Sequence, residues 1–289
     1  MKAVVYFKYG SPEVLQISEV EKPSPKHNEV LIRVHTAEVT KADCEMRRFN
    51  FPVKWFWLPL RLALGVIKPR RNVLGAYFAG EIAETGKNVS KFKVGDRLFG
   101  TTGLRFGAHG EYITLPEDQT LSLIPDNISF EQAATTAMGA LGALNALHFM
   151  RLAQITPGDK VLINGAGGSI GTFALQIARD LGAKVSVVDT SIKEEMLHRA
   201  GADEFIDYTQ VNFADQGETY DVVFDMVASS VYDDCIRVLN SGGRLLLRNP
   251  SLFKMVRCAV TTRFTDKTAK FTFAKESEEE LQEVTTPAA

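Results

Sequence analysis

The chain has 289 residues, a formal net charge of -2, 45% hydrophobic and 24% charged residues. That length suits two ordinary domains rather than one core, and the composition is that of a soluble globular protein. The near-neutral charge and the lack of a basic stripe exclude nucleic acid as the main partner.

Three widely separated cysteines, Cys44, Cys235 and Cys258, predict a reducing compartment without a disulfide framework. Met1 to Tyr6 runs straight into a strand pattern, so no signal peptide is expected. The most apolar window, 51–67, is broken by Pro52, Lys54, Pro59 and Arg61 and is too short to span a bilayer. No membrane partner is therefore expected, and the cytoplasm is the expected location.

Residues 1–125 read as short strands punctuated by Pro, Gly, Asn and Asp, among them Val30–Val34, Ala79–Ala83 and Glu111–Leu115, with Lys93–Arg97 a turn entering a strand. At Ser129-Phe130-Glu131-Gln132 a capping box predicts a helix through Leu147. Thr156–Asp159 is a turn that delivers the chain to the apolar run Val161-Leu162-Ile163, a buried strand. The small residues Gly165-Ala166-Gly167-Gly168-Ser169-Ile170-Gly171 follow, then a helical pattern through Arg179. Strand, tight turn and helix place free N–H groups and the positive end of a helix dipole at one point, which suits a pyrophosphate.

Lys184–Val188 is the next strand and ends in Asp189, eighteen residues after Gly171, near the spacing of a ribose-binding acid. Strands and helices then alternate: Asp221–Asp225 a strand, Tyr232–Leu239 a helix, Ser241-Gly242-Gly243 a turn, Arg244–Leu247 a strand and Lys270–Phe273 an edge strand. This alternation predicts a doubly wound parallel sheet with its ligand at the carboxyl ends of the strands. The expected division is a β-rich domain over 1–125, a dinucleotide-binding domain over 126–275, and a short helix with a frayed tail over 276–289.

In combination and order, Lys93–Arg97, Gly110-Glu111-Tyr112, Ala133–Leu147, Gly165–Gly171 and Gly201–Tyr208 resemble the medium-chain dehydrogenase/reductase superfamily, and within it the zinc-independent quinone oxidoreductases. The similarity runs from Met1 to about Leu281. It implies an α/β protein: an N-terminal β-rich GroES-like domain plus a Rossmann doubly wound parallel sheet. Family members continue for several tens of residues beyond this point and return to the first domain, so the resemblance implies a C-terminally truncated chain with an incomplete first domain. Family members pair through the outer strand of the nucleotide-binding sheet, here Lys270–Ala274, which implies a homodimer.

Zinc-dependent relatives place Cys, His-Glu and Cys around the ion. The matching positions here are Thr40, Ala76-Tyr77 and a site near Met138, and His27, His35, His109, His148 and His198 show no ligand-like spacing. No zinc is expected. Without a Lewis acid an activated acceptor suits the chain better than an alcohol: an apolar or aromatic quinone, or a carbonyl conjugated to an alkene, reduced by hydride from a nicotinamide.

The resemblance implies cofactor contacts at Ala166, Gly167, Gly168, Ser169, Ile170, Gly171, Asp189, Thr190, Lys193, Tyr208 and Asn249. Two signals on the cofactor conflict. Asp189 matches the carboxylate that NAD-dependent relatives use on both ribose hydroxyls, whereas Thr190, Lys193 and Tyr208 match positions that hold the 2′-phosphate of NADPH. NADPH and NADH both stay open, with the balance slightly toward NADPH, and Ser191–Glu194 also reads as a capping box with a solvated lysine. Thr40 replaces an asparagine common in the branch and Gly142 a threonine, and both changes remove polar contacts near the nicotinamide.

Thr40, Lys41 and Tyr77 are the candidate catalytic residues, with a half-buried aromatic and a solvated lysine as the structural alternatives for the last two. The aromatic run over 51–58 falls in the variable loop above the substrate cleft. The expected function is an NAD(P)H-dependent quinone or enone oxidoreductase; a nucleotide-binding pseudoenzyme or redox-sensing module is the alternative.

Overall fold

A computed structural model describes residues 1–51, 57–248 and 250–272. The chain divides into two compact units, the first from residues 1–51 and 57–141, the second from 142–272.

In the first unit, β1 (Lys2–Val5) and β2 (Gln16–Glu19) form an antiparallel pair. β3 (Glu29–Ala37) leads to two helices, α1 (Lys41–Arg48) and α2 (Trp57–Leu64). β4 (Tyr77–Thr85), β5 (Arg97–Thr101), β6 (Tyr112–Pro116) and β7 (Leu121–Leu123) complete a five-stranded antiparallel sheet ordered β6-β3-β4-β5-β7. The core is the apolar alternation of these strands, with Ile32, Phe78, Ile82, Leu98 and Leu115 all fully buried. The expected turn at Lys93–Arg97 is present: Gly95 sits at φ +90 and Asp96 accepts the Lys93 N–H at 2.9 Å.

α3 (Phe130–Ala153) begins at the expected capping box, where the Ser129 N–H donates to Gln132 Oε1 at 3.0 Å and the Gln132 N–H to Ser129 Oγ at 3.2 Å.

The second unit continues with β8 (Lys160–Asn164), α4 (Ser169–Asp180), β9 (Lys184–Asp189), α5 (Glu194–Arg199), β10 (Glu204–Asp207), β11 (Tyr220–Asp225), α6 (Tyr232–Arg237), β12 (Leu239–Arg248), α7 (Leu252–Phe264) and β13 (Thr268–Thr272). The strands form a six-stranded parallel sheet ordered β10-β9-β8-β11-β12-β13. In chain order within this sheet that is 3-2-1-4-5-6, the doubly wound Rossmann arrangement. Its strands are buried on both faces: Val161, Ile163 and Phe224 join one core cluster, Leu162 and Val223 the other. α4 packs through Ile170, Ala174, Leu175 and Ala178, a helical stripe facing the sheet.

Two local expectations need correction. The helix expected to reach Leu239 ends at Arg237, and the Ser241–Gly243 turn lies inside β12. Pairing with β11 shifts from Tyr220↔Leu239 to Val222↔Arg244, so the extra residues bulge out, with Gly242 at φ +71 taking the left-handed backbone. Nor do Ser191 and Glu194 form a capping box: a 3-10 turn spans Ser191–Lys193, and α5 starts without a side-chain cap. The sequence-predicted C-terminal helix and tail, and Phe273 and Ala274 of the edge strand, lie outside the described residues.

Candidate functional site

The turn between β8 and α4 is built for close approach. Gly165, at φ +86, and Ala166 both direct their N–H groups at the Val188 carbonyl, 3.0 and 3.3 Å away, which ties the turn to the end of β9. An added Cβ on Gly171 would fall 2.6 Å from both Cα and O of Ala166, so the helix meets the turn backbone to backbone. Gly168 is the N-cap of α4 in an extended conformation, and the first helical bond is the Thr172 N–H to the Gly168 carbonyl at 3.0 Å. The N–H groups of Ser169, Ile170 and Gly171 therefore lie ahead of the intrahelical ladder, at the positive end of the helix dipole.

Asp189 is buried beside this turn. Its Oδ2 accepts the Gly167 N–H at 2.8 Å, and its Oδ1 accepts the Thr190 N–H at 2.9 Å and lies 3.1 Å from the Lys193 ammonium. A Cβ on Gly167 would overlap Lys193 Cδ at 2.2 Å, so the lysine stem lies across the turn. The Tyr208 N–H reaches the Asp189 carbonyl at 3.3 Å, and its side chain is exposed. Ala166, Gly167, Gly168, Ser169, Ile170, Gly171, Asp189, Thr190, Lys193 and Tyr208 thus gather at one end of the sheet; Asn249 lies outside the described residues. Gly142 has a packing reason, since a Cβ there would lie 3.3 Å from the Phe173 ring and 3.5 Å from Ser169.

The residues fit a dinucleotide. Free N–H groups at a helix start can donate to a pyrophosphate, the glycines keep side chains out of the way, and an acid–base pair stands at the end of the next strand, as a ribose-binding acid would.

The remaining candidates lie in the first unit. Thr40 is the N-cap of α1 in a capping box: its hydroxyl donates to Asp43 Oδ2 at 2.7 Å, and its own N–H donates to the same oxygen at 2.8 Å. Asp43 also accepts the Gly75 N–H at 3.1 Å. Lys41 projects into solvent and lies 3.8 Å from Glu45. Tyr77 begins β4, half-buried against the cluster around Phe99 and Ala133. Of the aromatic run over 51–58, residues 52–56 lie outside the described residues; Trp57 packs edge-on to Phe49 at 5.9 Å and receives the Arg61 guanidinium, which also lies over Tyr9 and Phe49.

Sequence reasoning assigned no role to several polar residues now in view. Glu38, two residues before Thr40, has a buried Oε2 without a hydrogen-bond partner among the described residues, and burial, with Asp43 adding, pushes its carboxyl above the usual range. In the second unit Ser230 and Lys254, both half-buried, join the buried Asn164–Asp225 pair in a polar cluster. Asn and Asp at the ends of apolar strand runs were its only sequence signal.

Among the described residues no three His, Cys, Asp or Glu side chains are grouped to hold a metal ion. His35 stacks on Phe130 at 4.2 Å, His109 meets the Glu38 carbonyl at 3.0 Å and His198 the Ala202 carbonyl at 3.1 Å. Nor is any helix among them long and apolar enough to cross a membrane.

Two family models match the chain: the alcohol dehydrogenase GroES-like domain over 26–126 and the zinc-binding dehydrogenase domain over 169–248. The chain is 34% identical over 255 residues to a quinone oxidoreductase of Sus scrofa, covering 86% of this chain and 72% of that protein. It is 32% identical over 257 residues to the chloroplastic NADPH-dependent alkenal/one oxidoreductase of Arabidopsis thaliana, covering 85% of this chain and 62% of that protein. The solved structure of the quinone oxidoreductase from Coxiella burnetii superposes with a TM-score of 0.82 at 26% identity, covering 98% of this chain and 86% of that one. With a GroES-like first unit and a Rossmann second unit, the chain belongs to the quinone oxidoreductase-like branch of the medium-chain dehydrogenase/reductase superfamily.

Proposed function

We propose that this protein is a zinc-independent, NAD(P)H-dependent oxidoreductase that reduces quinones or α,β-unsaturated carbonyls, with NADPH favoured over NADH. The observation that carries it is the Gly165–Gly171 turn with the Asp189–Lys193 pair beside it. A reduced nicotinamide dinucleotide bound there supplies the hydride. Ala166 to Gly171 hold its pyrophosphate, and Thr190, Lys193 and Tyr208 surround its 2′-phosphate. Asp189, neutralised by Lys193 at 3.1 Å, repels that phosphate less than a lone carboxylate would. Asn249 is assigned to the nicotinamide half by resemblance.

Thr40, Lys41 and Tyr77 are the candidate catalytic residues, with Tyr77 and Lys41 the candidates for hydrogen-bond donor and proton source to the acceptor. By resemblance, Thr40, Ala76-Tyr77 and a site near Met138 match the zinc-ligand positions of relatives, and none offers a thiolate or imidazole, which supports chemistry without that metal. We place the protein in the cytoplasm as a homodimer paired through β13.

One observation favours a second reading, a nucleotide-binding protein with little turnover: the Thr40 hydroxyl is committed to Asp43 and Lys41 points to solvent. Titration with NADPH and NADH by nicotinamide fluorescence, followed by a panel of quinones and enals, separates the two. Saturable binding with acceptor-dependent oxidation supports the enzyme. Tight binding with no turnover of any acceptor refutes it in favour of the second, and no binding refutes both.

A further inference from the structure

The strand order of the parallel sheet reverses between β8 and β11, and the ligand crevice of such a sheet opens at the carboxyl ends of those two strands. Their last residues, Asn164 and Asp225, are cross-strand partners, and Asn164 Nδ2 donates to Asp225 Oδ1 at 2.9 Å. The same oxygen accepts the Val227 N–H at 3.1 Å, while Oδ2 accepts the Ser230 hydroxyl. Asp225 is only 2% exposed, and burial pushes its carboxyl above the usual range. A carboxylate at that depth needs a counter-charge.

Lys254, in the first turn of α7, provides it. Its ammonium lies 4.0 Å from Asp225 Oδ2 and donates to Ser230 Oγ at 3.0 Å and to the Ala228 carbonyl at 3.2 Å. Further along the same face, Arg257 pairs with Asp233, and Thr261 Oγ1 accepts the Tyr232 hydroxyl at 2.9 Å. Residues 254, 257 and 261 recur at helical spacing, so α7 is strapped along its length to the loop over 226–230 and to α6.

We propose that Lys254 is a positioning residue for the nicotinamide half of the cofactor, acting by pinning the 226–230 loop through Ala228, Ser230 and Asp225. The proposal rests on the dinucleotide site assigned above. Asp189, at the end of β9, marks the adenosine side of the glycine turn. An extended dinucleotide leaves that turn toward the opposite side of the switch point, where β11 ends in this loop. At 4.0 Å the ammonium lies beyond hydrogen-bond reach of Asp225, so its directional bonds go to Ala228 and Ser230 of the loop.

The test compares the dinucleotide with the matching ADP-ribose, which lacks only the nicotinamide, for whichever of NADPH and NADH the wild-type protein binds. In Lys254→Met the dinucleotide Kd is expected to rise about tenfold, as for loss of charge-assisted hydrogen bonds, while the ADP-ribose Kd stays unchanged. The double variant Asp225→Asn/Lys254→Met, with no buried charge left to compensate, keeps that selective loss. The proposal is overturned by an unchanged dinucleotide Kd, by equal weakening of dinucleotide and fragment, or by recovery in the double variant. A wild-type protein that binds neither dinucleotide overturns the proposed function, and this proposal with it; wild-type binding confines failure to Lys254.

Discussion

Gly168→Asp separates ligand binding from folding. Gly168 is the N-cap of α4 at φ -88 and ψ 167, the extended conformation in which aspartate is among the best caps. A Cβ there has a single near neighbour, the Gly165 carbonyl oxygen at 3.7 Å. The variant should therefore fold with an unchanged or slightly raised thermal midpoint. Its carboxylate, however, takes the N–H groups that the pyrophosphate needs and sets a negative charge beside it. Two unit charges about 4 Å apart at an effective dielectric of about 20 repel by about 4 kcal/mol. If salt and rearrangement remove half of that, about 2 kcal/mol remains, so the NADPH Kd should rise between about thirtyfold and a thousandfold. Fluorescence titration measures it, with Gly168→Asn as the uncharged control that keeps the cap. Wild-type affinity in a folded Gly168→Asp would refute the assignment of this turn to the pyrophosphate.

Three further outcomes are expected. Gly171→Ala forces a Cβ against backbone at 2.6 Å and should cost about 1–3 kcal/mol in chemical denaturation; a cost near zero would mean that helix and turn are not locked together. Lys193→Gln should weaken NADPH about fivefold to tenfold while leaving NADH unchanged or improved, and equal effects on both would remove Lys193 from the 2′-phosphate site. For Asp159, burial opposes ionisation, but hydrogen bonds from Thr156 and the Arg244 guanidinium at 2.7 Å hold its carboxyl below the usual range. A depressed folded pKa gives stability that is present above the unfolded value and lost as pH falls through the folded one. Asp159→Asn should therefore be destabilised by about 1 kcal/mol at pH 7, with the gap to wild type closing below about pH 4; a pH-independent gap would refute the ionic contribution.

The second unit was the more legible in sequence, for a physical reason. Parallel strands buried on both faces are near-continuous apolar runs, and Val161–Ile163, Val185–Val188 (broken only by Ser186) and Val222–Phe224 stand out between turn residues. Helix starts were less secure because one residue pattern serves two purposes. Thr40-x-x-Asp43 is a capping box that opens α1, yet the resemblance to the family sets Thr40 at a position near the nicotinamide, where an asparagine is common. Ser191-x-x-Glu194 has the same spacing and forms no box, because the chain turns through a 3-10 segment there and α5 begins only at Glu194, without a side-chain cap. Lys254 was illegible: a single lysine in an amphipathic helix looks solvated until the fold sets Asp225, Ser230 and Ala228 around it.

Asp189 carries the same lesson into cofactor choice. An acid at the end of the second strand is commonly read as a specificity residue for the ribose. Here both of its oxygens already have partners within the chain: the Gly167 N–H on one, the Thr190 N–H and Lys193 on the other. Its first role is thus to brace the glycine turn against β9, and that role is independent of which dinucleotide binds. A ribose hydroxyl approaching Asp189 must share these oxygens or displace Lys193, and displacing the lysine leaves a buried carboxylate less compensated. In the proposed mode a 2′-phosphate meets the Lys193 ammonium where it rests, 3.1 Å from Asp189, so the lysine serves both anions and the carboxylate keeps all its partners. In the proposed binding mode, discrimination resides in where the lysine rests rather than in the acid, and removing Lys193 is expected to change the NADPH/NADH ratio without loosening the turn.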